Sequence, residues 1–92
     1  MTIAPYSSTP VFDEHTLPAA LRADHRTKDG TWGLFRVLTG EVRLVFIDPP
    51  RVVHVTPDTP ATIPPQDTHY VEPLGAMTMQ VEFYKSDPTA PD

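Results

Sequence analysis

Proline interrupts this chain so often that no long helix can run through it. Twelve prolines stand among 92 residues, and each removes a backbone donor and disfavours a helical residue before it. One short stretch escapes, from Leu17 to Ala23. There Pro18 suits a first helical turn, and Ala19, Ala20, Leu21 and Arg22 are good helix formers. At about two turns this is a packing element and not an architecture. What lies between the other prolines must be strand or turn.

The strands show themselves by alternation. From Gly33 to Thr39, Leu34, Arg36 and Leu38 fall opposite Phe35 and Val37. Thr39-Gly40-Glu41 reads as a tight turn with Gly40 at positive φ, so Val42 to Ile47 is expected to return as the second arm of a β-hairpin. Asp48-Pro49-Pro50 stops that arm, and Arg51 to Thr56, rich in β-branched residues, begins again. Ala61-Thr62-Ile63 is a short strand ended by Pro64-Pro65, and His69 to Glu72 is another. Met77 to Lys85 is the longest, with Met77, Met79, Val81 and Phe83 on a core face and Thr78, Gln80, Glu82 and Tyr84 on the other. Six or more closely spaced strands in one small domain predict an all-β sandwich or barrel. Residues 1–10 and 86–92, rich in Pro, Ser and Thr, are expected to be loose tails around a single domain at 11–85.

Composition removes whole classes of function. The chain has no cysteine, which excludes disulfides, thiolate metal sites and thiol nucleophiles. Serine occurs only at Ser7, Ser8 and Ser86, all in the expected tails, which argues against a serine nucleophile. A formal charge of -5 with scattered basic residues argues against nucleic acid, because phosphate binding needs clustered Lys and Arg. Arg22, Arg26 and Lys28 do lie close together, but Asp24 and Asp29 interleave with them, and the segment reads as a solvated turn. The N-terminus has no basic, apolar signal pattern, and the apolar stretch Val42 to Ile47 is far short of the ~20 residues of a membrane helix. A soluble, cytoplasmic protein with no membrane partner is expected.

Four blocks together resemble the TehB/YeaR-like domain, a small cupin of the tellurite-resistance type. They are Ala23-Asp24-His25-Arg26-Thr27-Lys28-Asp29-Gly30-Thr31-Trp32-Gly33, Val37-Leu38-Thr39-Gly40-Glu41, Ile63-Pro64-Pro65-Gln66-Asp67-Thr68-His69-Tyr70-Val71-Glu72, and Val81-Glu82-Phe83-Tyr84. They arrive in the family's order and span roughly residues 11–85. The resemblance implies a cupin double-stranded β-helix, a small jelly-roll barrel with its pocket inside, here expected to stand alone without a methyltransferase domain.

In the wider cupin superfamily such a pocket often holds a divalent metal on three histidines and a carboxylate. This sequence departs from that set: His25 stands alone where a His-X-His pair is usual, and no carboxylate stands near Thr31-Trp32-Gly33. What the resemblance implies here is a site on His25 and His69 for Zn, Fe or Ni, completed by one carboxylate. Glu82 is the first choice, because a polar strand face can line a cupin lumen, and Glu72 is the alternative. Lys28 is considered as a pocket cation that attracts an anionic ligand. Gly30, Gly33 and Gly40 serve turns and close packing.

Three functions follow from these residues. The first is a cupin that binds a divalent metal or a small-molecule or oxyanion ligand, linked to tellurite or stress only through the family. The second is a metal-dependent enzyme of dioxygenase or isomerase type. The third is a non-catalytic interaction module whose pocket is vestigial. A homodimer through a sheet edge is expected for so small a chain.

Overall fold

The structure is a computed structural model that describes residues 4–89. Eight strands and one helical turn follow in the order β1 (Ser7–Ser8), β2 (Phe12–Asp13), α1 (Ala19–Arg22), β3 (Trp32–Thr39), β4 (Val42–Ile47), β5 (Pro50–Val55), β6 (Ala61–Ile63), β7 (His69–Pro73) and β8 (Thr78–Tyr84). They form two antiparallel sheets. One runs β1-β8-β3-β6, with β2 also on β8, and the other runs β5-β4-β7.

The core lies between the sheets. Phe35 and Val37 of β3, Ile63 of β6 and Met79 and Val81 of β8 meet Val42, Leu44 and Phe46 of β4, Val55 of β5 and Val71 of β7. Strand alternation alone selects these residues, because a period of two sends every second side chain inward. The five-stranded sheet also covers part of its second face. Leu34 and Tyr84 are buried there, and Trp32 pairs across the sheet from Tyr84.

Three expectations are corrected. β3 and β4 are not a hairpin: β3 pairs with β6 and β8, whereas β4 pairs with β5 and β7. Gly40 does take positive φ (78°), but it turns the chain from one sheet into the other. Its backbone lies so close to Ala76 and Met77 that a Cβ would collide with the Ala76 carbonyl oxygen. A close-packed corner of this kind needs glycine as much as a hairpin turn does, so the sequence signal was shared by both. The hairpin is β4–β5 instead, closed by Asp48-Pro49 with Ile47 opposite Pro50.

The second correction concerns closure. The two sheets face one another without joining into a barrel among the described residues. Strand β6 has only three residues, held between Pro60 and Pro64. Such a short edge, flanked by residues without an N–H, offers little to extend the hydrogen-bonded ladder.

The third concerns the first ten residues. Ser7 and Ser8 pair with Phe83 and Glu82, and Phe12 pairs with Met79. Between them Thr9 is tied three times: its N–H donates to the Val81 carbonyl (2.9 Å), its hydroxyl accepts from Val81 N–H (3.1 Å), and its carbonyl accepts from Gln80 Nε2 (2.9 Å). Composition suggested a tail, but the open edge of β8 supplies partners for its backbone. Residues 1–3 and 90–92 of the expected tails lie outside the described residues.

Candidate functional site

His69 opens β7, and alternation turns it inward beside Val71. It is the one polar side chain among the fully buried residues described, at 3% exposure. Its Nδ1 lies 2.7 Å from the Asp67 carbonyl oxygen. A carbonyl only accepts, so Nδ1 carries the proton and Nε2 of the neutral ring keeps a lone pair. Burial holds the imidazole below its ordinary value of 6.5, and nearby His25 adds to the effect, against the opposing bond to Asp67. His69 is thus neutral at pH 7.

His25 comes to it from the segment after α1. The two residues form an isolated antiparallel bridge in which each N–H donates to the other's carbonyl at 2.7 Å. Reciprocal bonds of this type place both side chains on one side of the backbone. The rings meet edge-on, with centroids 5.7 Å apart and planes at 84°. The structure thus brings together the two histidines expected to share a metal, and it does so through the backbone.

A small clamp fixes His69 from behind. Arg51 Nη2 donates to Asp67 Oδ2 at 2.6 Å, and the Arg51 guanidinium lies 3.7 Å over the Phe46 ring. Phe46 in turn packs against His69, with centroids 5.8 Å apart. Asp67 therefore meets Arg51 with its side chain and His69 with its carbonyl. Its second carboxylate oxygen, Oδ1, is buried without a hydrogen-bond partner.

The carboxylates expected to complete a metal site lie elsewhere. Glu82 pairs across from Leu34 on the outward face of the five-stranded sheet, while its neighbours Val81 and Phe83 turn inward. There it accepts from Arg36 Nε at 2.7 Å and from the Tyr84 hydroxyl at 3.0 Å. Glu72 faces out from the three-stranded sheet and is paired with Arg43 at 2.5 Å. Among the described residues no group of three or more His, Asp or Glu converges to hold a metal ion. His54 is exposed on β5 beside Glu41.

Two cavities meet at His25. The outer one is a cleft of about 380 Å³, lined by Tyr6, Ser7, His25, Arg26, Thr27, Lys28, Thr31 and Phe83. The inner one, about 40 Å³, lies among Leu21, Phe35, Ile63, Val71, Val81 and the edge of His69. His25, Thr27 and Phe83 belong to both and form the wall between them. Lys28 was noted as a pocket cation and does line the cleft. Arg26 and the N-terminal Tyr6 and Ser7 were missed. Interleaved aspartates hid the first, and a tail-like composition hid the others.

Compared with known proteins, residues 7–81 match the family described as TehB-like domain. Among solved structures, the chain is similar to TehB from Haemophilus influenzae, at 28% identity and a TM-score of 0.79 over 90% of this chain. It spans 31% of that protein's length. It also shares its fold with a protein of E. coli strain K12, at 22% identity and a TM-score of 0.81, over 99% of this chain and 94% of that one. No curated protein matches it. No helix among the described residues is long and apolar enough to cross a membrane.

Proposed function

Because the chain belongs to the TehB-like domain family, we propose that it is a small-ligand-binding domain whose cleft takes a small anion. The observation that carries this is the lining of the cleft. In a chain of formal charge -5, the larger of these two cavities is walled by Arg26, Lys28 and His25 and by no carboxylate. At physiological salt the Debye length is about 8 Å, so an arriving anion responds to these nearby groups more than to the net charge. The Ser7 hydroxyl and the Tyr6–Thr31 hydroxyl pair stand among them as donors, while the Thr27 hydroxyl donates to the Pro64 carbonyl. This reading is in keeping with the oxyanion context that the family's tellurite association suggests.

Titration of ¹⁵N-labelled protein with inorganic phosphate and with tellurite, followed by NMR, tests the proposal. Saturable shifts at Thr27, Lys28 and Thr31 are expected, weakened by added salt and by Arg26→Gln and Lys28→Gln. Absence of any saturable shift at these residues overturns it.

A metal reading keeps a narrower form, favoured by the lone pair on His69 Nε2. With metal–nitrogen distances of about 2.0–2.1 Å, two imidazoles on one ion have centroids roughly 5–6 Å apart, and the observed 5.7 Å falls within that. The donor set does not fit a site with three protein ligands. An ion held by the two histidines would serve as a Lewis acid toward the anion. Elemental mass spectrometry of tag-free protein, with His25→Ala and His69→Ala alongside, tests this: near-stoichiometric metal lost in both variants supports it, and its absence overturns it.

A further inference from the structure

Behind the cleft, across the wall of His25, Thr27 and Phe83, lies a second cavity of opposite chemistry. The cleft is basic and hydroxyl-lined, whereas the inner chamber is walled mainly by Leu21, Phe35, Ile63, Val71, Val81 and Phe83. Protein interiors are close-packed, and dry apolar voids of this kind are few. A chamber of about 40 Å³ has room for one or two methyl-sized groups, since even a water's share of liquid volume is about 30 Å³. Thr9, Thr27 and the two histidines also border it, but its wall is mainly apolar, so a carbon tail is better matched to it than water. His25 touches both compartments and His69 only the inner one, so the edge-on ring pair spans the boundary.

We infer that the ligand is a short aliphatic carboxylate, its head among His25, Arg26 and Lys28 and its tail passing between His25, Thr27 and Phe83 into the inner chamber. This rests on the small-anion reading of the cleft and narrows it to a chemical class. A bare inorganic anion uses the outer compartment alone. A tail of one or two carbons beyond the wall fills the chamber, and a longer or branched tail does not fit.

The test is an NMR titration of the full chain at pH 7 with phosphate, acetate, propionate, butyrate, pentanoate and hexanoate. Burying one methylene strengthens binding about fourfold. The dissociation constant is expected to fall by about that factor from acetate to propionate and again to butyrate, then to rise for the longer acids, with shifts at Val71 and Val81 methyls. Two conservative variants move the optimum in opposite directions. Val71→Ile fills the chamber and favours the shorter acid, and Ile63→Val enlarges it and favours the longer one. Phosphate and all the acids binding with no dependence on chain length would overturn this inference and leave the small-anion reading standing. No binding by any of these anions, phosphate included, would overturn both.

Discussion

Arg36 holds Glu82 by its Nε at 2.7 Å on the outward face of the five-stranded sheet, with the sheet itself between that carboxylate and the histidines. The pairing follows from strand period: Val81 and Phe83 must turn inward, so Glu82 cannot. Glu82→Gln is therefore expected to leave the ligand titration of His25 and His69 unchanged. It removes an ion pair whose partners are 43% and 21% exposed, for which about 0.2–1 kcal/mol is the usual range. Chemical denaturation measures that loss, and a shifted ligand affinity in this variant would tie Glu82 to the site after all.

The buried imidazole gives a pH dependence of definite sign. His69 has its folded value lowered by burial, so on acidification the unfolded chain takes up the proton first. The stabilisation is complete above about 6.5 and is lost as pH falls through the lower folded value. Thermal melts at pH 7.5 and 5 should show a larger drop in Tm for the wild type than for His69→Asn, which keeps a donor near the Nδ1 position. A domain this size shifts by roughly 4–8 °C per kcal/mol. Parallel curves for the two proteins would show that His69 does not carry the effect.

Removing one partner of the Arg51–Asp67 clamp should cost more than removing both. Arg51→Ala leaves a carboxylate that is 12% exposed without its cation, a change expected to cost about 1–3 kcal/mol. Arg51→Ala with Asp67→Asn should recover part of that loss, because the buried charge is gone. The same variants report on the ring. If the clamp positions the Asp67 carbonyl, the His69 ¹⁵N resonances should show the Nδ1–H tautomer clearly in the wild type and a mixture in Arg51→Ala. An unchanged tautomer would make the clamp purely structural.

Gly40 is expected to tolerate no side chain. Its φ of 78° is left-handed, and a Cβ would meet the Ala76 carbonyl and Met77. Gly40→Ala should destabilise by about 2 kcal/mol or more, from backbone strain and the clash together. Gly30, also at positive φ but with no atom near its Cβ position, should lose less on the same change, which separates strain from collision. Equal losses at the two positions would show that the corner does not depend on close approach.

Strand periodicity made most of this molecule legible. Val42–Ile47 and Ala61–Ile63 have the bounds read from alternation and flanking prolines, and Met77, Met79 and Val81 are buried as their common face required. What periodicity does not encode is which strand lies beside which. Gly40 looks the same in a hairpin and in a corner between sheets, so the partner of β3 was misread. The histidines were legible as a pair through family blocks. The rest of the site was not. Arg26 lies among acidic neighbours in sequence that fall outside the cleft lining in space, and the place of Tyr6 and Ser7 in the cleft wall depends on a pairing with β8 across more than seventy residues.

That pairing gives the N-terminal segment a second office. Strand β8 is the longest strand of its sheet after β3, and without Ser7–Thr9 and Phe12 its outer margin would be a row of unmatched donors and acceptors. The segment thus works as an edge guard for the sheet while Tyr6 and Ser7 form one lip of the cleft. Any movement that widens the cleft by lifting this lip also bares a strand on which a second copy could template itself. Access to the cleft and cover for that strand edge rest on the same few hydrogen bonds.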